Sequence, residues 1–305
     1  MSSRAQRLRD LIEREGCIAV PGAFNALCAK AVAQAGFPAV YVSGAATSVS
    51  AGVPDVGLVG CEHFCRLIRE LDDACGLPVI ADADTGFGEA EMVRRTVIEY
   101  ARAGAAALHI EDQQFPKRCG HLDGKALVPA DHMIEKVQWA AKAARELGEP
   151  GHPGIVLIAR TDARGVEGFD AAVERAAAYC QAGAEMIFPE GLASIEEFAE
   201  FARRLRARAP RALLLANMTE FGKTPILHAN DFAKAGYNVV IYPVSLLRVA
   251  MGAVTGALAQ LRREGSVAGF IGQMQTRQQL YDLVQYKPGV AWEFPVRAAG
   301  QEKRS

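Results

Sequence analysis

The chain has 305 residues, half of them hydrophobic, enough for a large core in either two domains or one α/β barrel. Its formal net charge of −1 leaves no basic footprint for nucleic acid or an anionic membrane surface, and neither partner is expected. No apolar run approaches the roughly 18 residues of a membrane span. The seven cysteines are odd in number and irregularly spaced, which reads as reduced thiols; Cys61 and Cys65 sit four apart with no second pair to complete a zinc site. The N-terminal stretch is charged and amphipathic with no apolar signal core, so a cytoplasmic location is expected.

Along the chain, short apolar runs at 18–20, 39–42, 78–81, 106–110, 155–159, 185–188, 212–216 and 239–242 read as strands, each followed by a helical pattern. In 91–103, for example, Met92, Val93, Thr96, Val97 and Tyr100 recur at helical spacing. Ala-Gly pairs at 35–36, 103–104, 182–183 and 235–236 stop four helices just before a strand. Ser194 and Glu197 read as a capping box ahead of a stripe of Phe198, Phe201 and Leu205. Eight alternations without a linker predict an α/β fold, a (β/α)8 TIM barrel in a single domain over 1–305. The barrel core spans about 16–264, and 265–305 supply C-terminal helices and a tail. A doubly wound sheet would need a Gly-rich phosphate turn after the first strand, and Pro21-Gly22-Ala23-Phe24 is not one.

In such a barrel the site lies at the C-terminal strand ends. Those ends carry Ser43, then Asp82 and Asp84, His109 and Glu111, Arg160 and Asp162, Glu190, and Asn217 and Thr219. Strand residues two apart share a face, so the pairs 82/84, 109/111 and 160/162 each point together. Asp82, Asp84 and Glu111 would repel one another without a cation. Magnesium, which takes oxygen ligands, suits such a cluster; the alternative is a structural network with Arg160 and Lys117. Arg160 reads as a carboxylate clamp or as a buried partner for an acid, and Asn217-Met218-Thr219 could instead cap a helix.

Lys117-Arg118-Cys119-Gly120-His121 follows the fourth strand. Flanking cations pull a thiol's pKa toward neutrality, where it can give or take a proton. Cys17, Cys28, Cys75 and Cys180 read instead as small core hydrophobes.

Together with Asp82-Ala83-Asp84-Thr85-Gly86-Phe87-Gly88, His109-Ile110-Glu111-Asp112-Gln113, Ala159-Arg160-Thr161-Asp162-Ala163, Phe188-Pro189-Glu190, Asn217-Met218-Thr219-Glu220-Phe221-Gly222 and Tyr242-Pro243, that loop resembles the isocitrate lyase/phosphoenolpyruvate mutase superfamily. Within it the chain looks most like the lyases that cleave 2-methylisocitrate to pyruvate and succinate in propionate catabolism. The resemblance runs from about Gly16 to Tyr286. It implies a barrel whose last helix swaps onto a neighbouring subunit, commonly in homotetramers. It implies magnesium, with manganese as a substitute, held by Asp82 and Asp84 and supported by Asp55 and Glu111. Ser43, Gly44, Ala45, Cys119, Gly120, Arg160, Glu190, Asn217, Thr219, Arg248 and Arg277 match substrate-contacting positions, the substrate being a di- or tricarboxylate. Cys119 is implied as general acid, with Arg160, His121 and Asn217 facing the leaving carbanion and Tyr41 a candidate base.

Two departures from the family stand out: Ser43-Gly44-Ala45-Ala46 replaces a Ser-Gly-Gly-Gly run, and the tail differs from Lys287 onward. The sister reactions on 2,3-dimethylmalate or isocitrate are the nearest rivals. Oxaloacetate decarboxylase and phosphonate members generally lack the thiol loop.

Overall fold

A computed structural model describes residues 3–118, 120, 124–149 and 152–294. Its eight strands are β1 (Ile18–Pro21), β2 (Val40–Val42), β3 (Val79–Asp82), β4 (Ala105–Glu111), β5 (Val156–Thr161), β6 (Met186–Pro189), β7 (Leu213–Asn217) and β8 (Val239–Tyr242). All pair in parallel, in the order β1-β8-β7-β6-β5-β4-β3-β2. A single bridge between Gly22 and Tyr41, with Ala23 N–H donating to Tyr41 O at 2.9 Å, brings β1 to β2 and nearly closes the barrel. Each predicted strand lies within a residue or two of an observed one. Their near-continuous apolar runs follow from burial on both faces.

The alternation of strand side chains separates two cores. Inward residues such as Val20, Ile80, Ala107, Val156, Ile158, Met186, Leu215 and Val239 pack inside the barrel. Helix α1 (Arg4–Glu15) plugs this interior with Ala5, Leu8, Leu11 and Ile12. Outward residues such as Val79, Ala81, Leu108, Ile110, Leu157 and Ile187 pack under the surrounding helices. Those are α2 (Ala26–Gln34), α3 (Gly44–Ser50), α4 (Cys61–Cys75), α5 (Ala90–Ala103), α6 (Ala130–Glu146), α7 (Ala163–Val166), α8 (Phe169–Ala182), α9 (Ile195–Arg208) and α10 (Ala229–Lys234). Ser194 caps α9, its hydroxyl accepting from Glu197 N–H at 3.3 Å, and Phe198, Phe201 and Leu205 form the buried stripe. Gly104 ends α5 at φ 112°, where Asp72 Oδ2 would lie 2.7 Å from any Cβ.

Helix α11 (Ser245–Glu264) differs from the rest. Of its 20 residues only Leu247 is buried, while Val249, Met251, Val254, Leu258 and Leu261 face outward. A 3-10 turn (Ile271–Gln273) and α12 (Arg277–Leu283) follow. Cys17, Cys28, Cys75 and Cys180 are half-buried against the outer core, and the six described cysteines are free thiols. Among the described residues no helix is long and apolar enough to cross a membrane.

Candidate active site

The inward alternation that fills the barrel with aliphatic residues turns polar in its last layers. On β3, Ile80 points inward, so Asp82 does too; on β4 the series is Ala107, His109, Glu111, and on β5 it is Val156, Ile158, Arg160. Asp82, Asp84, His109, Glu111, Arg160, Glu190, Ser43 and Thr219 are all buried there.

The turn after β3 brings two of the acids together. Asp84 takes a left-handed φ of 46°, and its N–H donates to Asp82 Oδ1 at 2.9 Å. Gly44 N–H, in the first turn of α3, donates to Asp82 Oδ2 at 3.0 Å. Lys117 Nζ reaches into the same cluster, 2.5 Å from both Asp55 Oδ1 and Asp84 Oδ1. Its charge, expected from the sequence to act on the neighbouring thiol, is thus engaged by two carboxylates. Burial and the Asp82 charge push Asp84 up to about 6. Burial drives Glu111 well above the usual carboxylate range despite Arg160 and Lys117. Glu111 Oε1 is buried and accepts no hydrogen bond among the described residues, whereas Asp84 Oδ1 is met by Lys117 and Glu111 Oε2 by Arg160. Arg160 Nη1 stands 3.2 Å from Glu111 Oε2 as an ion pair.

Closely packed buried acids, with Glu111 Oε1 unpartnered among the described residues, fit a hard divalent cation, whose charge would return them to the ionised form. Among the described residues no three His, Cys, Asp or Glu side chains converge as a closed cage. Two aspartates with the remaining ligands from water and substrate is the arrangement magnesium prefers. Of the two sequence readings of this cluster, the ionic network with Lys117 and Arg160 is the one these contacts display.

Arg160 is the second organising group. Its Nε donates to Asp162 Oδ2 at 2.9 Å and its Nη2 to Asp162 Oδ1 at 3.2 Å, while Nη2 stands 3.5 Å from Glu190 Oε2. The guanidinium lies 5.1 Å over the Phe188 ring. Gly120 sits directly on this group: a Cβ there would lie 2.3 Å from Arg160 Nη2 and 2.5 Å from Glu190 Cγ. Lys117 at the acids and Gly120 at the arginine bring the thiol loop down to the barrel mouth. Cys119 and His121 themselves lie outside the described residues.

Beneath Arg160 runs a network the sequence did not reveal. Asp112, on the outer side of the barrel, accepts from Thr161 Oγ1 (2.7 Å), Tyr179 OH (2.8 Å) and Asp162 N–H (2.9 Å), with Arg175 3.6 Å away. The Arg-Thr-Asp run at the end of β5 was the signal. A buried Asp next to a buried Arg needs support from behind, here supplied by α8.

Tyr41 OH lies 2.7 Å from His109 Nε2, and His109 Nδ1 lies 3.6 Å from Asp82 Oδ1. Burial raises Tyr41 well above its ordinary value and depresses His109 to about 4, so both are neutral at physiological pH. His109 was visible at its strand end, but only the fold pairs it with Tyr41. Ser43 caps α3, accepting from Ala46 N–H at 3.2 Å, so Ser43, Gly44 and Ala45 form one short segment against Asp82. Asn217 Nδ2 donates to Glu190 Oε2 at 3.1 Å, joining β7 to the arginine side. Arg248 instead pairs with Glu220 at 2.7 Å and covers Phe221. Arg277 is exposed on α12, and no ion pair joins it to the site among the described residues.

The profile of the family described as phosphoenolpyruvate phosphomutase matches residues 8–262. A 2-methylisocitrate lyase from Aeropyrum pernix is 46% identical over 279 residues, which are 92% of this chain and 86% of the relative. The crystal structure of a 2,3-dimethylmalate lyase is similar with a TM-score of 0.85 at 36% identity, covering 93% of this chain and 92% of that one. A phosphonopyruvate hydrolase solved with oxalate and Mg++ gives a TM-score of 0.80 at 29% identity, over 92% of this chain and 94% of its own. The chain belongs to the phosphoenolpyruvate mutase/isocitrate lyase superfamily.

Proposed function

We propose that the protein is a magnesium-dependent carbon–carbon lyase that cleaves 2-methylisocitrate to pyruvate and succinate. The observation that carries this reading is Gly120 seated on Arg160 and Glu190, a few side chains from the Asp82/Asp84 pair. An acid cluster and a thiol-bearing loop thereby meet at one barrel mouth. The 46% identity to a 2-methylisocitrate lyase supports the substrate. The nearest alternative, 2,3-dimethylmalate, is supported by the 0.85 TM-score to a lyase of that name.

Asp82 and Asp84 would hold magnesium or manganese, with Asp55 and Glu111 reaching it through water. The bound ion supplies Lewis acidity, lowering the cost of ionising the substrate hydroxyl. Ser43, Gly44 and Ala45 would contact the substrate's near end, and Glu190, Asn217 and Thr219 its far carboxylates. Arg160, with His121, faces the position where the leaving carbanion gathers charge and stabilises it there. The hydroxyl proton leaves, the carbon–carbon bond breaks to give pyruvate, and Cys119 delivers a proton to the succinate carbon. A neutral, buried phenol is a weak base alone, so Tyr41 would take the hydroxyl proton only as His109 accepts its own.

The exposed apolar side of α11 supports a helix swapped onto a neighbouring subunit in a homotetramer, which would also give Arg248 and Arg277 a place at a neighbour's site. The remaining features, a single barrel domain over 1–305 and a cytoplasmic location, complete the proposal. Exhaustive chelation with EDTA is expected to abolish turnover and added magnesium or manganese to restore it. Turnover that survives chelation contradicts the metal assignment.

A further inference from the structure

Helix α4 opens with two thiols on one side of its first turns. Cys61 and Cys65 are four residues apart, so their side chains lie one above the other, and their sulfurs stand 3.9 Å apart. Cys61 is the first residue of the helix and is 3% exposed, whereas Cys65 is half-buried beside the exposed Glu62 and Arg66. The Cys61 thiol also meets the buried Thr96 side chain of α5, so two partners fix its position. The proposed lyase chemistry uses neither thiol.

The bond to Cys65 holds the Cys61 thiol below its ordinary value, and the same bond, with burial, pushes the Cys65 thiol far above its own. One thiolate forms readily and a second does not. A divalent cation needs both sulfurs ionised, and among the described residues no third His, Cys, Asp or Glu joins the pair to hold it. A disulfide suits the pair no better: its bond is about 2.05 Å, so sulfurs now 3.9 Å apart would have to close by about 1.9 Å within a helical turn. The gap instead matches one bridging atom. Two bonds of about 2.3 Å, the length of a zinc–thiolate bond, opened to a tetrahedral angle set the sulfurs about 3.8 Å apart. Trivalent arsenic forms sulfur bonds of similar length at a slightly narrower angle.

We propose that Cys61 and Cys65 form a dithiol site for a trivalent arsenical, with one arsenic atom bridging the two sulfurs. With phenylarsine oxide, two arsenic–sulfur bonds form and the arsenic–oxygen bond is lost, while both thiol protons leave on that oxygen as water. Arsenic stays trivalent and the sulfurs are not oxidised, so the step needs no oxidant. Because the oxide oxygen takes both protons, the reluctance of Cys65 to ionise does not block the reaction, as it would for a bare cation. Closing the second bond is intramolecular, which strengthens the adduct by about 100- to 10,000-fold over a single thiol. Isolated thiols therefore compete poorly for the same reagent. The site needs neither metal nor substrate and does not rest on the lyase assignment.

The test titrates the full-length protein and its Cys61→Ser, Cys65→Ser and Cys119→Ser variants with phenylarsine oxide, the thiols being kept reduced by a phosphine. Intact mass gives the number of arsenic atoms bound, and tryptic peptide 31–66, which holds Cys61, Cys65 and no other cysteine, locates them. The expected result is one arsenic per chain on that peptide in both the parent and Cys119→Ser, released by a dithiol such as 2,3-dimercaptopropanol. In Cys61→Ser and in Cys65→Ser the concentration for half-occupancy should rise by about 100-fold or more, since only one bond remains. The proposal is overturned if the arsenic maps to another peptide, if none binds, or if both α4 variants bind within threefold of the parent. Mapping on the parent protein decides the matter even where a serine variant does not fold.

Discussion

Gly44→Ala is the substitution for which the geometry gives the sharpest expectation. A Cβ at Gly44 would lie 2.6 Å from Asp82 Oδ2 and 3.2 Å from Asp84 Oδ1. Ordinary carbon–oxygen contacts begin at roughly 3.3 Å, so Asp82 would have to retreat by about 0.7 Å. Its other side is occupied: Asp84 N–H holds Oδ1 at 2.9 Å, and Tyr100 OH holds the Asp82 carbonyl at 2.9 Å. Relief therefore comes from α3 moving away, which breaks the 3.0 Å bond from Gly44 N–H to Asp82 Oδ2. A hydrogen bond to a charged group contributes about 1.5–3 kcal/mol, or about 10- to 100-fold in an equilibrium constant. The magnesium concentration for half-maximal rate should rise by that factor, read from activation curves at saturating substrate. Ala45→Gly and Ala46→Gly, which restore the family's usual glycines, should each cost about 1 kcal/mol of helix stability in urea denaturation. Their magnesium dependence should stay within threefold of the parent. A folded Gly44→Ala enzyme with unchanged magnesium dependence would refute the crowding argument.

Other perturbations separate the roles at the mouth. Cys119→Ser should fold and bind magnesium normally while cleavage falls by about two or more orders of magnitude, the range of a general acid; near-full turnover removes Cys119 from the acid role. Tyr41→Phe leaves His109 Nε2 without its 2.7 Å partner in the barrel interior and should cost about 1–3 kcal/mol by urea denaturation. A kcat loss well beyond what the remaining folded fraction explains would mark Tyr41 as part of the proton path. On α11, the double substitution Val254→Asp and Leu258→Asp places charges on its exposed apolar side. If that side seats on another subunit, sedimentation should shift from tetramer to smaller species, because each buried aliphatic contributes about 1.5–3 kcal/mol. An unchanged tetramer would place the interface elsewhere.

The barrel was legible in the sequence because its strands are buried on both faces and so appear as apolar runs between amphipathic helices. The polar strand ends were legible for the same reason, since Asp82, Glu111 and Arg160 interrupt an apolar series at fixed spacing. Less accessible were contacts between distant segments. Nothing local says that Lys117 will reach Asp55, 62 residues away, or that Asp112 will be held by Tyr179, 67 residues on. The exposure of α11 was hidden in its own residues, because its apolar spacing is that of any core helix; only the resemblance, with its swapped last helix, pointed outward, and among the described residues most of that side is uncovered. Lys125 reads as a surface lysine until the loop folds back and buries it against Asp162.

The central claim is a reaction, and magnesium-dependent pyruvate release measured in parallel on 2-methylisocitrate, 2,3-dimethylmalate and isocitrate tests it most directly. One methyl group discriminates by only about 10- to 200-fold in a hydrophobic pocket, so some turnover of the relatives is expected. The account predicts the highest kcat/KM on 2-methylisocitrate, with pyruvate and succinate formed in equal amounts. A clear preference for either of the other two, or no pyruvate from 2-methylisocitrate with magnesium present, would contradict it.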